Sequence, residues 1–528
     1  MSTNKLTHKD SHRSLIRSTS ILSLGTLSSR ILGFIRDIIV AKLLGTGFRA
    51  DAFFVASKIP NLFRDLVGEG AMNAAVVPVL SEYKEKENSK AFWEFANTLF
   101  VWALVTLSAI TVLGILAAPV VVRVIAPGFM ADPEKLVLTI NLTRFMFPYL
   151  IFIGLTAYSM GILFAFRSFL VPAFSPCLLN IAMIVAALIY TRNMQDPVLG
   201  LAVGVLIGGV LQLGAQWIPL TKMGMPCRRP KTLRHPGVIK IGKLLVPRML
   251  GGGVYQLSIL IDTFCASLSS IVGQGGISAI YYANRIIQGP MGVFGVAMAS
   301  AVLPTLAGFF HRNDVDSLKR TIIFSLENIF FVMCPSMVML VLFSEPIIRI
   351  FFERGEFGLY STTITSMALS YYAIGLLSFG GIKILVSVFY ALQDTKTPAL
   401  VAAFCLTINA TLNFILMYPL KVGGIALASA IAGTADFLIL FYVLDKRLGG
   451  FKVDLFRYFL KVFAAAVISG GAVFWLWQNL VFLNEILRFV IIGVVWIFVY
   501  EAICLAIRVE QARKIWDWIR GVKHEYPR

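Results

Sequence analysis

Two long apolar segments without a charged residue constrain the fold of this chain more than any other feature. They run from Phe95 to Val122 and from Val198 to Leu220. Each is long enough to cross about 30 Å of hydrocarbon as a helix. Of the 528 residues, 58% are apolar and only 14% are charged, whereas soluble domains carry about 25% charged residues. The sequence therefore predicts an all-α polytopic membrane protein.

Hydropathy divides the chain into about fourteen predicted transmembrane helices. We place them at 20–44, 52–82, 94–122, 138–166, 172–191, 197–220, 244–270, 276–308, 320–344, 362–391, 398–418, 423–444, 457–479 and 485–507. The corresponding domains are an N-terminal tail (1–19), an N-lobe of six helices (20–220), a basic linker (221–243), a C-lobe of six helices (244–444), two further helices (445–507) and a C-terminal tail (508–528).

The loop charges predict the orientation in the membrane. Most of the net charge of +19 falls in alternate loops and in both tails, and the linker is the most basic loop. The opposite loops hold few basic residues, namely Arg49, Lys135, Arg192, Arg354 and Lys421. Under the positive-inside rule this asymmetry places both termini in the cytoplasm, and it explains much of the positive charge without a nucleic-acid partner.

An internal repeat predicts two related lobes. A shift of 226 residues aligns Leu24-Gly25 with Leu250-Gly251, Pro78 with Pro304, and Pro172-Ala173 with Pro398-Ala399. Each copy holds six helices, so both copies share one orientation and are related by an axis along the membrane normal.

Charged residues interrupt the first two predicted helices, where each costs at least about 2.5 kcal/mol at mid-bilayer. The first helix holds Arg30, Arg36, Asp37 and Lys42, and the second holds Lys58, Arg64, Asp65 and Glu69. Lys58, Asn61 and Asp65 recur at helical spacing and predict a face that lines a wet cavity. For Arg36 and Asp37 the alternatives are an internal ion pair or a position at the membrane edge, and Lys42 has the alternative of reaching the headgroups.

Arginines in these helices predict an anionic substrate. Arg30 and Arg64 in the N-lobe, with Arg285 in the eighth helix, are the main candidates, because guanidinium binds phosphate oxygens through a planar fork. A diphosphate on a lipid tail fits this chemistry. A second candidate site, for a small cation or proton, comprises Asp262, Asn409, Asn413 and Ser429, with interhelical hydrogen bonding as its alternative.

No enzymatic motif accompanies these residues. The sequence lacks a GxxxxGK[ST] loop, an HExxH motif and a GxSxG motif, and its six cysteines form no CxxC pair, so we predict a transporter with no cofactor, metal site or disulfide. Sodium, protons or the membrane potential are the candidate energy sources.

Several motifs resemble those of the MurJ (MviN) lipid II flippases, which belong to the MOP exporter superfamily. They are the N-terminal run "SRILGFIRDIIVAKLLGTGFRADAFFVASKIPNLFRDLVGEGAMNAAVVPVLSEY" and the later "PAFSPCLLNI", "YYANR", "GVFGVAMASAVLP" and "FYALQDTKTP". The resemblance implies export of undecaprenyl-diphosphate-linked peptidoglycan precursor by alternating access through a cationic central cavity. Lipid II and membrane lipids are the implied partners, with cell-wall synthesis enzymes as candidates.

The resemblance also implies site residues. The cavity arginines of the family match Arg30, Arg36, Arg64 and Arg285, and its acidic partners match Asp37, Asp51 and Glu69. Asn284 departs from the family, in which aspartate is frequent at this position. Sodium binding in some relatives favours Asp262, Asn409, Asn413 and Ser429.

Two other functions remain open at this point. One is a MOP-superfamily exporter of another polyprenyl-linked glycan or of drugs, although exporters of cationic drugs favour acidic cavities. The other is a scaffold that organises cell-wall synthesis without transporting anything.

Overall fold

A computed structural model describes residues 8–64, 75–193, 196–225, 232–450 and 452–520. In these ranges the chain is helical throughout, without a strand. Its helices are α1 (His8–Leu44), α2 (Phe48–Arg64), α3 (Val77–Lys86), α4 (Ser89–Ile125), α5 (Pro133–Met146), α6 (Tyr149–Ala165), α7 (Leu170–Asn193), α8 (Pro197–Lys222), α9 (Pro236–Ser267), α10 (Ser269–Val272), α11 (Gly276–Pro290), α12 (Val296–His311), α13 (Val315–Leu342), α14 (Ser344–Phe352), α15 (Leu359–Ile374), α16 (Leu376–Ala391), α17 (Lys396–Leu448), α18 (Lys452–Asn479), α19 (Glu485–Ala506) and α20 (Glu510–Ile519).

The predicted all-α polytopic class is confirmed. Within the described ranges, nine helical segments are long and apolar enough to cross a membrane, and the pair α15 and α16, bent by 46°, makes a tenth. Helix α1 includes the predicted span 20–44. Helices α2 and α3 overlap the predicted span 52–82, and α9 overlaps the predicted span 244–270. Charged side chains in α1 and α2 reduce the hydropathy that identifies such spans.

Polar residues followed by proline start several of the helices. Asp132, Asp196 and His235 each stand directly before a proline at the first helical position. Their side chains accept hydrogen bonds from the backbone N–H groups of Lys135, Val198 and Gly237, each at 3.1 Å. A capping acceptor satisfies one of the free N–H groups of a first turn, and proline has no N–H to satisfy there.

Helix α17 contains two predicted spans. Its 53 residues are divided at Lys421, whose φ of 50° and ψ of −127° are not helical. A Cβ atom on Gly424 would lie 2.1 Å from the carbonyl oxygen of Leu416, so this reversal requires glycine. Arg447 near the end of α17 donates to Asp394, which precedes its start, at 2.9 Å. The two halves therefore return the chain to the side from which it came.

The chain forms two compact units. The first comprises Met1–Leu268 with Arg354–Phe357, and the second comprises Ser269–Glu353 and Gly358–Arg528. The first unit includes α9, which the sequence predicted as the first helix of the C-lobe. The reason is local, because α9 ends against a 3₁₀ helix, Pro127–Ala131, in which the Gly128 N–H donates to Ser267 Oγ at 3.1 Å.

Each unit has its own aromatic core. In the first unit Phe92, Phe95 and Tyr158 are almost fully buried, and the Tyr158 hydroxyl donates to the Ala96 carbonyl at 2.8 Å. In the second unit the Tyr500 hydroxyl donates to the Phe331 carbonyl at 2.8 Å. These bonds satisfy the one polar atom of a large buried side chain, as burial requires.

Candidate functional site

Arg36 and Asp37 form an ion pair on α1 of the first unit. Arg36 Nη2 lies 2.8 Å from Asp37 Oδ1, and the two side chains are 15% and 2% exposed. Arg36 also donates to Asn180 Oδ1 at 3.1 Å, and Asn180 donates in turn to the Ser29 carbonyl at 3.1 Å. Arg36 therefore connects α1 to α7, as in the ion-pair alternative.

A second buried ion pair joins α2 to α5. Lys135 Nζ lies 2.8 Å from Asp51 Oδ2, and the side chains are 6% and 2% exposed. The same ammonium lies 4.2 Å from the centre of the Phe129 ring, which adds a cation–π contact. Asp51 occupies the first turn of α2, where negative charge interacts favourably with the helix dipole. The pair fixes the start of α2, the helix that carries Lys58, Asn61 and Arg64.

Lys58 on α2 faces α9 within the first unit. Its ammonium donates a short hydrogen bond to Thr263 Oγ1 and interacts electrostatically with Asp262. Asn61 follows one turn later, and both it and Arg64 are half-buried. Lys58 therefore presents a cation beside α9, Asn61 continues the same face of α2, and Arg64 flanks that face. Asp65 and Glu69, which the sequence assigned to the same helix, lie outside the described residues.

The other predicted arginines lie on different helices. Arg30 on α1 is exposed. Arg285 on α11 of the second unit is half-buried, as is Asn284 beside it. Their role in substrate binding stays a prediction.

Three of the four predicted cation-site residues meet in the second unit. Asn409 Nδ2 donates to Ser429 Oγ at 3.2 Å, and Asn413 Nδ2 donates to Asn409 Oδ1 at 3.3 Å. Asp262 belongs to the first unit, where its described electrostatic partner is Lys58. The bond between Asn409 and Ser429 joins the two halves of α17, as in the interhelical alternative, whereas the bond between Asn413 and Asn409 lies within one half. The described part of the chain contains no group of three or more histidine, cysteine or acidic side chains placed to hold a metal ion.

Sequence reasoning missed three residues that contact the candidate residues. They are Lys135, Asn180 and Thr263, the partners of Asp51, Arg36 and Lys58. Lys135 is predicted as a loop lysine because it lies between the predicted spans 94–122 and 138–166, although Asp132-Pro133 just before it is a capping signal. That capping signal places it in the first turn of α5, and a lysine there needs a buried acid as its partner. Asp51, a carboxylate in an apolar stretch, was the signal for that partner.

Sequence comparisons assign the chain to a family. The family model described as "Lipid II flippase MurJ" matches residues 40–496. The lipid II flippase MurJ of Burkholderia cenocepacia is 36% identical over 473 residues, covering 87% of this chain and 90% of that protein. The probable lipid II flippase MurJ of Haemophilus influenzae is 36% identical over 465 residues, covering 85% and 90%.

Solved structures agree with this assignment. A structure of lipid II flippase MurJ in an inward closed conformation matches with a TM-score of 0.79 and 28% identity, covering 92% of this chain and 98% of that one. An inward-facing multidrug resistance MATE transporter of the MOP superfamily matches with a TM-score of 0.66 and 16% identity, covering 80% and 94%, and this likeness concerns the fold alone. The chain is a member of the lipid II flippase MurJ family.

Proposed function

We propose that this chain is a lipid II flippase, which moves the undecaprenyl-diphosphate-linked peptidoglycan precursor from the cytoplasmic to the outer leaflet by alternating access. One observation carries the proposal: the family match runs from residue 40, near the end of α1, into α19, so it includes α2 and α11, which carry Arg64 and Arg285. The chain then acts as a transporter and catalyses no covalent reaction.

Cationic side chains on α1, α2 and α11 bind the diphosphate in this proposal. Arg30 and Arg64 act in the first unit and Arg285 acts in the second, each through paired N–H donors that match phosphate oxygens. Arg36, Asp37 and Asp51 contribute by holding α1 and α2 in place, since their ion pairs are buried. Asn61 and Glu69 complete the proposed substrate contacts on the second transmembrane helix.

Orientation and energy form a second part of the proposal. The chain lies in the bacterial inner membrane with both termini in the cytoplasm, as the loop charges favour. Transport needs no cofactor and is driven by sodium, protons or the membrane potential. Asn409, Asn413 and Ser429, with Asp262, are the candidate residues for a coupled cation. Cell-wall synthesis enzymes are the proposed protein partners.

Depletion with complementation tests the function. Depleted cells should accumulate lipid II on the cytoplasmic side and lyse, and the wild-type chain should restore growth. Arg64→Ala and Arg285→Ala should fail to complement, although both variants are present in the membrane at wild-type levels. Arg320→Ala is the matched control, because Arg320 is exposed and donates to Ser317 Oγ at 3.2 Å in its own helix.

Two outcomes would contradict the proposal. If depletion changes only drug sensitivity, the chain is an exporter of another class. If the two alanine variants complement fully and lipid II does not accumulate, the chain acts as a scaffold.

A further inference from the structure

A cavity in the second unit lies between α13, α20 and the turn that precedes α12. Its volume is about 310 Å³, at the lower end of the range of about 300–1,000 Å³ for ligand pockets. Phe294 and Met298 form one wall, Phe324 and Val332 on α13 form another, and Lys514 and Ile515 on α20 close the third. Phe294 belongs to a π-helical turn, Met291–Gly295, and such turns are frequent at functional sites.

Helix α20 has the features of a helix that lies at the surface of a bilayer. It begins at Glu510, four residues after the membrane-spanning α19 ends at Ala506. Arg508 between them has a φ of 58°, which reverses the chain direction. Val509 and Ala512 are buried, whereas Ile515 and Trp516 are 43% and 41% exposed beside charged residues. An amphipathic helix with an exposed tryptophan is typical of the headgroup region.

The cavity extends from this surface toward the hydrocarbon. Phe324, Asn328 and Val332 are four residues apart, so they share one face of α13 and cover about 12 Å of depth. Phe294 and Phe324 are 46% and 44% exposed, so the apolar wall opens sideways. In a membrane-spanning chain this opening faces acyl chains.

The ammonium of Lys514 lies at the surface end of the cavity. Lys514 Nζ lies 5.1 Å from the centre of the Phe324 ring and 2.6 Å from Glu510 Oε1. The pair with Glu510 is exposed, so it contributes little and a phosphate can replace it. Gln511, which is buried, donates to Glu327 Oε2 at 3.0 Å and holds α20 against α13. The position of Lys514 at the mouth is therefore fixed by its own helix.

We propose that this cavity is a binding site for an anionic phospholipid, with one acyl chain along α13 and the phosphate on Lys514. An apolar channel with one ammonium at headgroup depth matches a lipid that has one negative charge above its chains. Free phosphate would use only the lysine and leave the aromatic walls exposed to water. This site is separate from the arginines of the proposed flippase function and does not depend on them.

Native mass spectrometry of the purified full chain in detergent tests this site. Palmitoyl-oleoyl phosphatidylglycerol should bind more tightly than the phosphatidylcholine with the same chains. Lys514→Gln should weaken phosphatidylglycerol binding about fivefold, the order expected for one lysine at an anionic surface, and should leave phosphatidylcholine unaffected. Arg513→Gln is the matched control, since Arg513 is adjacent on α20 but does not line the cavity.

A second pair of variants tests the acyl-chain part. Val332→Trp fills the cavity and should abolish retention of phosphatidylglycerol, whereas Val467→Trp, at a position on α18 that is 46% exposed, should not. Variants are compared only when size-exclusion chromatography gives a wild-type profile. Equal binding of the two lipids, or equal effects of the Lys514 and Arg513 variants, would overturn the proposal. Lysine-dependent binding of undecaprenyl phosphate in place of phosphatidylglycerol would overturn it too.

Discussion

Lys135 contributes to stability through an ion pair in which both charges are removed from water. Replacing it with methionine keeps the apolar length of the side chain and leaves the Asp51 carboxylate buried without its ammonium. Loss of one partner of a buried pair costs about 3–5 kcal/mol. We therefore expect Lys135→Met to lower the thermal unfolding temperature strongly. Tryptophan fluorescence of the protein in detergent measures this temperature.

The matched control uses the same substitution in an exposed pair. Lys86 lies 3.0 Å from Glu82, with side chains 72% and 36% exposed, and exposed pairs contribute about 0–1 kcal/mol. Lys86→Met should change the unfolding temperature little. The double variant Asp51→Asn with Lys135→Met should be more stable than Lys135→Met alone. A Lys135→Met protein as stable as Lys86→Met would show that the buried pair does not stabilise the first unit.

His235 makes the attachment of the linker sensitive to pH. Burial lowers the pKa of this imidazole below its usual 6.5, against the opposing effect of Glu94 and Glu87. Its Nδ1 accepts the Gly237 N–H, and the ring stacks on Phe95 at 4.8 Å. The folded state thus binds the proton less readily than the unfolded state. The contribution of His235 is complete above about pH 6.5 and falls as the pH drops through the lowered value.

Hydrogen exchange measures this effect directly. Between pH 7.5 and 5.5, after correction for the intrinsic rate, protection of the amides of residues 237–240 should decrease in the wild type. His235→Asn keeps a capping acceptor and cannot be protonated in this range, so its protection should not change. The same decrease in both proteins would show that another group is responsible.

Asp394 is a helix-capping residue that stabilises the start of α17. Like that of His235, its contribution depends on pH. Its Oδ1 accepts the N–H groups of Lys396 and Thr397 at 3.1 and 3.0 Å, and its Oδ2 accepts from Arg447. These bonds hold the pKa of Asp394 below its usual 3.8, with the Thr397 N–H as the main cause. Its contribution is therefore present above about pH 4 and lost as the pH falls further.

Removing this cap should destabilise α17. We expect Asp394→Ala to cost about 1–2 kcal/mol and to lower the unfolding temperature at pH 7. Asp394→Asn retains an acceptor for the backbone and should show a smaller loss. Equal unfolding temperatures for all three proteins would show that the cap contributes nothing to stability.

Element identity followed from the sequence more readily than the polar contacts did. Charge-free runs such as Phe95–Val122 predicted helices because no other local structure satisfies its backbone in hydrocarbon. Lys421 was predicted as a loop, and the structure places a non-helical residue there. By contrast, the partners of Arg36 and Asp51 lie 144 and 84 residues away along the chain. Helical periodicity specifies the face of a residue but not the helix opposite, so periodicity alone did not identify these partners.

At the scale of the whole molecule, the repeat predicted a division of the chain that differs from its compact units. The duplication groups α9 with the second copy, whereas its contacts to the 3₁₀ helix and to Lys58 place it in the first unit. A helix joined by a linker to one copy can pack on the other, because sequence similarity records descent and not contact. Substitutions that test the role of α9 should therefore be made in the contacts that this helix forms within the first unit.

The orientation of the whole chain gives the last prediction. With both termini in the cytoplasm, the loop between α12 and α13 faces the cytoplasm and the loop between α18 and α19 faces outward. Arg312 and Phe482 mark these loops, and both are exposed. The five described cysteines, Cys177, Cys265, Cys334, Cys405 and Cys504, are buried, so a Cys227→Ser background should label weakly. In spheroplasts an impermeant maleimide should label Phe482→Cys at once and Arg312→Cys only after permeabilisation. The reverse labelling pattern would show that the topology is inverted. The precursor would then have to be bound from the opposite side of the membrane.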